Sequence, residues 1–352
     1  MSTAEIYRIL PNLELLKLEM RQSMPDSYEA ELQWAIDAVR RASRICRNVQ
    51  QMITADVLAK KDRSPVTVAD FASQAAICLH LQENAPDDPI VGEEDSSELQ
   101  QPENASFLDR IGCELEQAGI QHAGHKDICR WIDRGNAAGG ADRFWTLDPI
   151  DGTKGFLRGE QYAIALALIV NGEIQVSVLG CPNLPVTPGQ TSPRGLLLTA
   201  VRGQGAAAMP LDGTATASTI SVSESGDPTQ ARFCESVESG HSSHDRSARV
   251  AQLLEITGPP VRMDSQAKYA TVARGDADIY LRLPVRKGYI EKIWDHAGGA
   301  LIVEEAGGTV TDIEGKPLKF HHGRELIANR GVVVTNGPLH QQVLEAVADS
   351  IA

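Results

Sequence analysis

Apolar side chains recur at helical spacing early in the chain. Within 27–53 they fall at Leu32, Ile36, Val39, Ile45 and Val49. That stripe predicts a long amphipathic helix with one face on a core. The stretch SPVTVADFASQAAICLHLQEN (64–84) reads as extended at first, then as a second helix. PIVGEED (89–95) is a short apolar strand running into acids. Residues 96–141 are polar and Gly-rich near their end, which predicts a helix around 105–118 and then loop. FWTLD (144–148) has the pattern of a buried strand. YAIALALIV (162–170) and EIQVSVLG (173–180) flank Asn171-Gly172. Both of those residues tolerate positive φ, so a tight hairpin is expected.

The stretch CPNLPVTPGQTSPRG carries Pro182, Pro185, Pro188 and Pro193, and it is the expected domain boundary. The reading is an N-terminal extension (1–26), an α+β domain (27–188) and an α/β domain (189–352). Beyond the boundary, GLLLTAV, RFCESV and DADIYLRL read as strands, and 244–256, 265–274 and 295–306 as helices. GVVVTN is a last strand before a C-terminal helix. Hairpins followed by mixed strands and helices predict a layered α/β protein.

Composition narrows the partners. The 352 residues are 42% hydrophobic and 23% charged, as in a globular protein with a sizeable core. A formal charge of −14 disfavours a nucleic-acid polymer or an anionic membrane as partner, since either would want a basic face. It leaves room for a small phosphorylated ligand, because a divalent cation reverses the local charge of a carboxylate site. The six cysteines form no C-x-x-C pair and read as buried, reduced thiols of a cytoplasmic protein. No run of eighteen apolar residues predicts a membrane span. The first residues lack the apolar block of a signal peptide, and Glu5, Glu14 and Glu19 argue against a presequence.

The candidate chemistry centres on WTLDPIDGTKGF (145–156). Asp148 ends an apolar strand, Pro149 stiffens the backbone, and Asp151 follows. The two carboxylates can converge, with the Ile150 carbonyl as a third hard oxygen of the kind Mg²⁺ prefers. Gly152 permits a bend, and Thr153 would open a short helix whose free N–H groups suit a phosphate. Alone, the stretch is also an ordinary turn with an Asp cap. Other acids sit where apolar elements begin or end: Asp70 in SPVTVADF, Glu93 and Glu94 in VGEED, Asp295 in IWDHAGGALIVEEAGG. Each has a plain reading as a helix-start or loop acid. Together they mark the end of the elements where α/β proteins bind ligands, with Asp295 beyond the boundary and the others before it. Glu304 and Glu305 are expected to face solvent, as is Lys154.

LDPIDGTKGF, VGEED and WDHAGGALIVEEAGG together resemble the inositol monophosphatase superfamily of Mg²⁺-dependent, lithium-sensitive phosphatases. The run from FWTLDPIDGT to VLGCPNL, with SPVTVADF, VESGHSSH, DSQAKYA and DIYLRLP, is similar to the 3′(2′),5′-bisphosphate nucleotidases. The likeness covers about 27–350. It implies an α/β/α/β/α sandwich of the sugar-phosphatase kind. It implies two or three Mg²⁺ ions: Glu93, Asp148 and the Ile150 carbonyl on the first, Asp148, Asp151 and Asp295 on the second. Asp70 and Thr153 would orient or deprotonate the attacking water. Substrate contacts would come from Thr153, His241, Ser242, Ser265, Lys268, Arg282 and Asp295. Read without the likeness, Lys268 is a solvent-facing helix lysine, Arg282 is as well a surface arginine at a strand end, and His241 is a loop histidine. The expected activity is removal of the 3′-phosphate from adenosine 3′,5′-bisphosphate and 3′-phosphoadenylyl sulfate, with a role in sulfur assimilation and salt tolerance. The chain is expected to act as a monomer. Hydrolysis of inositol phosphates is the alternative, and a silent nucleotide sensor ranks below both.

Overall fold

The computed structural model describes residues 27–53, 64–121, 124–237, 244–284 and 288–351. Helices α1 (Glu29–Gln51), α2 (Ser64–Asn84), α3 (Ala105–Gln117) and α4 (His125–Asp133) cover one face of a sheet. That sheet has seven strands in the order β1 to β7: β1 (Ile90–Gly92), β2 (Arg143–Asp151), β3 (Ala163–Val170), β4 (Glu173–Pro185), β5 (Arg194–Val201), β6 (Ala206–Pro210) and β7 (Ser218–Ile220). Only its β1–β2 pairing is parallel. Between β2 and β3 lies the short helix α5 (Thr153–Arg158).

The remaining elements are β8 (Phe233–Glu235), α6 (His244–Leu253), β9 (Val261–Arg262), α7 (Ala267–Ala273), β10 (Ile279–Arg282), α8 (Ala297–Glu305), β11 (Thr309–Thr311), β12 (Val332–Thr335) and α9 (His340–Ile351). Their strands form a second sheet in the order β11-β12-β10-β8-β9. Helices α7 and α8 fill the space between the two sheets, and α6 and α9 cover the outer face of the second. The layers are therefore α/β/α/β/α, as the family resemblance implied.

Strand β3 shows how the layers are coded. Its alternate residues Ile164, Leu166 and Leu168 join the core under α1 and α2, while Ala163, Ala165 and Ala167 face the other way. Period-two alternation assigns each set to one face. The alanine face lets α8 come close: a Cβ on Gly298 would lie 3.0 Å from the Ala165 Cβ. The hairpin after β3 turns at Asn171 (φ 51°) and Gly172 (φ 80°), as the Asn-Gly signal requires.

Three expectations need correction. The Pro-rich stretch does not separate the sheets: β4 and β5 pair directly across it, with Pro185 opposite Arg194. The change of sheet comes later, between Ile220 and Phe233. Residues Ser64–Asn84 are helical throughout rather than extended at first, because a proline is tolerated in a helix's first turn. Helix α4 falls where loop was expected, with Ile128, Cys129, Trp131 and Ile132 as its buried side. Of the cysteines, all free, Cys113 is exposed and the other five are buried. Among the described residues, no helix is long and apolar enough to cross a membrane.

Candidate active site

Residues three apart on a regular strand point to opposite faces. Asp148 and Asp151 escape that rule. Asp148 pairs with Ala165 and Asp151 with Ala163, so the three-residue step on β2 faces a two-residue step on β3. The extra residue is a bulge, and it turns both carboxylates to one side. Pro149 suits this place, since it has no N–H to give a ladder. Its carbonyl is held instead by the Ser73 hydroxyl, 3.0 Å away on α2.

Both aspartates line an open cavity of about 420 Å³. Glu93, Ile150, Gly152, Thr153, Ser265, Lys268, Arg282 and Asp295 line it too. The cavity thus gathers residues from the end of β1, the bulge of β2, the start of α5, the turn before α7, the end of β10 and the loop before α8. Asp70 does not line it. It is buried behind the wall, within electrostatic reach of Glu93, Glu94 and Asp148. His241 and Ser242 lie outside the described residues.

The wall is short of positive charge. Burial, then Glu93, Asp151, Asp295 and Asp70, push the Asp148 carboxyl well above the usual range. Its Oδ1 is buried with no hydrogen-bond partner. Glu93 is pushed up to about 8 by desolvation among its neighbours and by the charges of Asp295, Glu94 and Asp151. Its own surface is open to the cavity, so the crowding of like charge is the firmer of these causes. Asp295 rises to about 6, chiefly by burial and against the pull of Arg282 and His296. An orphaned carboxylate oxygen amid other carboxylates fits a hard divalent cation, which would replace the protons these groups otherwise keep.

One tighter group of possible ligands exists among the described residues: Glu291, Asp295 and His296. We do not read it as a cation site. The Arg282 guanidinium sits 3.1 Å from Glu291 and 3.7 Å from Asp295. The His296 ring faces Glu291 at 3.2 Å and the Tyr269 hydroxyl at 2.7 Å, so both its nitrogens are engaged. Although burial opposes ionisation, the hydrogen bond to His296 and the charge of Arg282 hold Glu291 down to about 2. This is an ion-pair network that already has its cations.

The cationic side chains differ from a free clamp. Lys268 is buried, not solvent-facing. Its ammonium donates to the Ser265 carbonyl at 2.8 Å and lies 5.1 Å from the Tyr280 ring centroid. Burial lowers its pKa, with Asp151 opposing. Arg282 is likewise enclosed and paired, as above. Lys154 is exposed yet also borders the cavity. Glu304 and Glu305 do not simply face solvent: Arg202 reaches Glu304 at 3.2 Å, and Glu305 accepts from the Gly203 and Gly205 N–H groups.

Sequence reasoning passed over two amides that hold the wall. The Gln266 backbone N–H donates to Asp151 Oδ2 at 2.6 Å. Its side chain donates to the Trp294 carbonyl and accepts from the Gly299 N–H, both at 2.9 Å, which fixes the segment on either side of Asp295. Ser265 adopts φ 69°, the left-handed region, to bring that N–H to Asp151. Gln74 is fully buried in α2 and embraces Glu94 from both sides, donating to its carbonyl and accepting from its N–H. A lone amide on an apolar helix face was the available signal.

Comparison with known proteins agrees with this architecture. The inositol monophosphatase family model matches residues 27–352. A 3′(2′),5′-bisphosphate nucleotidase of Schizosaccharomyces pombe is 48% identical over 341 residues, covering 92% of this chain and 96% of its own. Proteins of the same name from Emericella nidulans and Arabidopsis thaliana are 46% and 44% identical, each over more than nine-tenths of both chains. The inositol monophosphatase structure from Zymomonas mobilis superposes with a TM-score of 0.61 at 18% identity, over 92% of this chain and all of the other. That from Thermotoga maritima gives 0.58 at 21%, over 91% and 98%. The chain belongs to the inositol monophosphatase family, a generally Mg²⁺-dependent family of phosphatases.

Proposed function

We infer that the protein removes the 3′-phosphate of adenosine 3′,5′-bisphosphate, leaving AMP, and that of 3′-phosphoadenylyl sulfate, leaving adenylyl sulfate. The observation that carries this reading is the cavity itself, whose lining combines the carboxylates Glu93, Asp148, Asp151 and Asp295 with the cations Lys268 and Arg282. A substrate with two phosphates suits both sets, one at the acidic wall and one at the cations. The relatives named bisphosphate nucleotidases supply the nucleotide.

Glu93, Asp148 and the Ile150 carbonyl would hold one Mg²⁺ and Asp148, Asp151 and Asp295 another. When bound, Mg²⁺ supplies Lewis acidity that neutralises phosphoryl oxygens and lowers the pKa of water. Thr153 would fix the attacking water by its hydroxyl, and Asp70 would take the proton. A buried carboxyl with a raised pKa is suited to receive one near neutral pH. The Thr153 end of α5 offers backbone N–H groups to the phosphate. Lys268, Ser265 and Arg282 would bind the remote phosphate and sugar, joined by His241 and Ser242. Attack is in line and by water, with no covalent phosphoenzyme. The six free cysteines accord with a cytoplasmic setting.

The test compares phosphate release from adenosine 3′,5′-bisphosphate and from inositol 1,4-bisphosphate at equal Mg²⁺. We expect the nucleotide to be preferred and Li⁺ to inhibit. Preference for the inositol phosphate would favour the alternative activity.

A further inference from the structure

We propose that Arg324 is a positioning residue, a strap that sets the distance between the Glu93 side and the Asp295 side of the acidic wall. The inference rests on the Mg²⁺ reading above. Glu93 follows β1 of the first sheet, whereas Asp295 stands in the loop before α8. Nothing in chain order joins them. Arg324, between β11 and β12, touches both.

On the first side its guanidinium donates to the Gly92 carbonyl, immediately before Glu93. The same group donates to the carbonyls of Gly135 at 3.3 Å and Ala137 at 3.1 Å. Gly92 and Gly135 are themselves bonded, N–H to carbonyl, at 2.8 Å. On the second side the guanidinium lies 4.8 Å from the ring centroid of Trp294, the residue before Asp295. The backbones are zipped as well: Ile293 N–H donates to the Arg324 carbonyl at 3.2 Å, and Leu326 N–H to the Glu291 carbonyl at 2.9 Å. The neighbouring Gly323 packs so closely on Gly139 that a Cβ there would come within 2.8 Å of its backbone.

The need for a strap is electrostatic. Glu93 and Asp295 repel each other across the cavity, and without a restraint the two segments would part. A planar fork with several donors can span three carbonyls and stack on an indole together; an ammonium cannot. The position is also selective. Arg134 makes a similar clamp at the opposite end of the same strand, on the carbonyls of Ala85, Pro86 and Asp88, where no cavity residue depends on it.

The experiment measures the Mg²⁺ dissociation constant by calorimetry for the wild type, Arg324→Lys, Arg324→Met and Arg134→Lys, alongside thermal midpoints in EDTA. Loss of an outer-shell support weakens metal binding about 10–100-fold. We expect at least about tenfold weakening in both Arg324 variants, an unchanged constant in Arg134→Lys, and lowered midpoints in EDTA for all three. If Arg324→Met does not fold, Arg324→Lys decides. Folded Arg324 variants that bind Mg²⁺ less than about tenfold more weakly than wild type overturn the strap, as does an equal loss in Arg134→Lys. A wild type that takes up no Mg²⁺ overturns instead the reading on which the strap stands.

Discussion

Replacing Asp148 by Asn should make the metal-free protein more stable while abolishing its response to Mg²⁺. Asp148 is 1% exposed, and its Oδ1 has no hydrogen-bond partner. It shares a hydrogen bond with Glu93, a second carboxyl, and faces further negative charge from Asp151, Asp295 and Asp70. Without a cation, a buried unsatisfied polar group costs about 1–3 kcal/mol, more when charged. Asparagine has nearly the same volume, carries no charge and can donate its N–H to Glu93. We therefore expect a gain of about 1–3 kcal/mol in EDTA, or roughly 1–4 °C in the thermal midpoint for a chain of this size. The same change removes the carboxylate charge of the residue that would help hold both ions. Saturating Mg²⁺ should then add little stability, and phosphate release should fall at least about 100-fold. The assay is a thermal scan of wild type and variant with EDTA and with Mg²⁺. A variant that is less stable in EDTA, yet is stabilised by Mg²⁺ as much as wild type, would refute the reasoning.

The metal-free protein should lose stability as pH rises. Glu93, Glu94 and Asp295 are raised to about 8, 7 and 6 from ordinary values of 4.5, 4.5 and 3.8. Groups that hold protons more tightly when folded stabilise the fold below the ordinary value, and that contribution is lost as pH climbs through the folded one. Midpoints in EDTA should fall between about pH 4 and 8, and Mg²⁺ should flatten the slope; a rising midpoint would contradict this. Thr153→Ala should lower kcat about 100-fold or more, with a smaller change in KM, in steady-state phosphate release. Gly155→Ala should lower the thermal midpoint, because the new Cβ would lie 2.2 Å from the Gln161 carbonyl oxygen, at an overpacking cost of about 1–3 kcal/mol. The same change at Gly203, with nothing within 4 Å, should show only the backbone strain of its φ of 78°.

The acidic wall was legible because its residues sit at element ends, where side-chain period and chemistry can be read together. Asp148, Asp151, Glu93 and Asp295 all reach the cavity. The bulge that brings the first two to one face was foreshadowed by Pro149, which cannot serve in a central ladder. Local pattern did not disclose pairing at long range. Arg282 looks free along the chain, and its engagement by Glu291 appears only once β10 meets the loop before α8. Lys268 looks like a solvent-facing lysine, because nothing near it in sequence says that α7 lies between two sheets. Prolines at 182–193 suggested a boundary, yet a hairpin connection tolerates them equally well. Strand β6, with its alanines, carries no β-forming signal of its own and forms by pairing with β5.

The most direct test is a ³¹P NMR time course of adenosine 3′,5′-bisphosphate with purified protein and Mg²⁺. The account predicts that the 3′-phosphate resonance gives way to inorganic phosphate while the 5′-phosphate signal persists as AMP, and that EDTA stops the change. Loss of the 5′-phosphate first, or no release by a protein that binds Mg²⁺ normally, would contradict it.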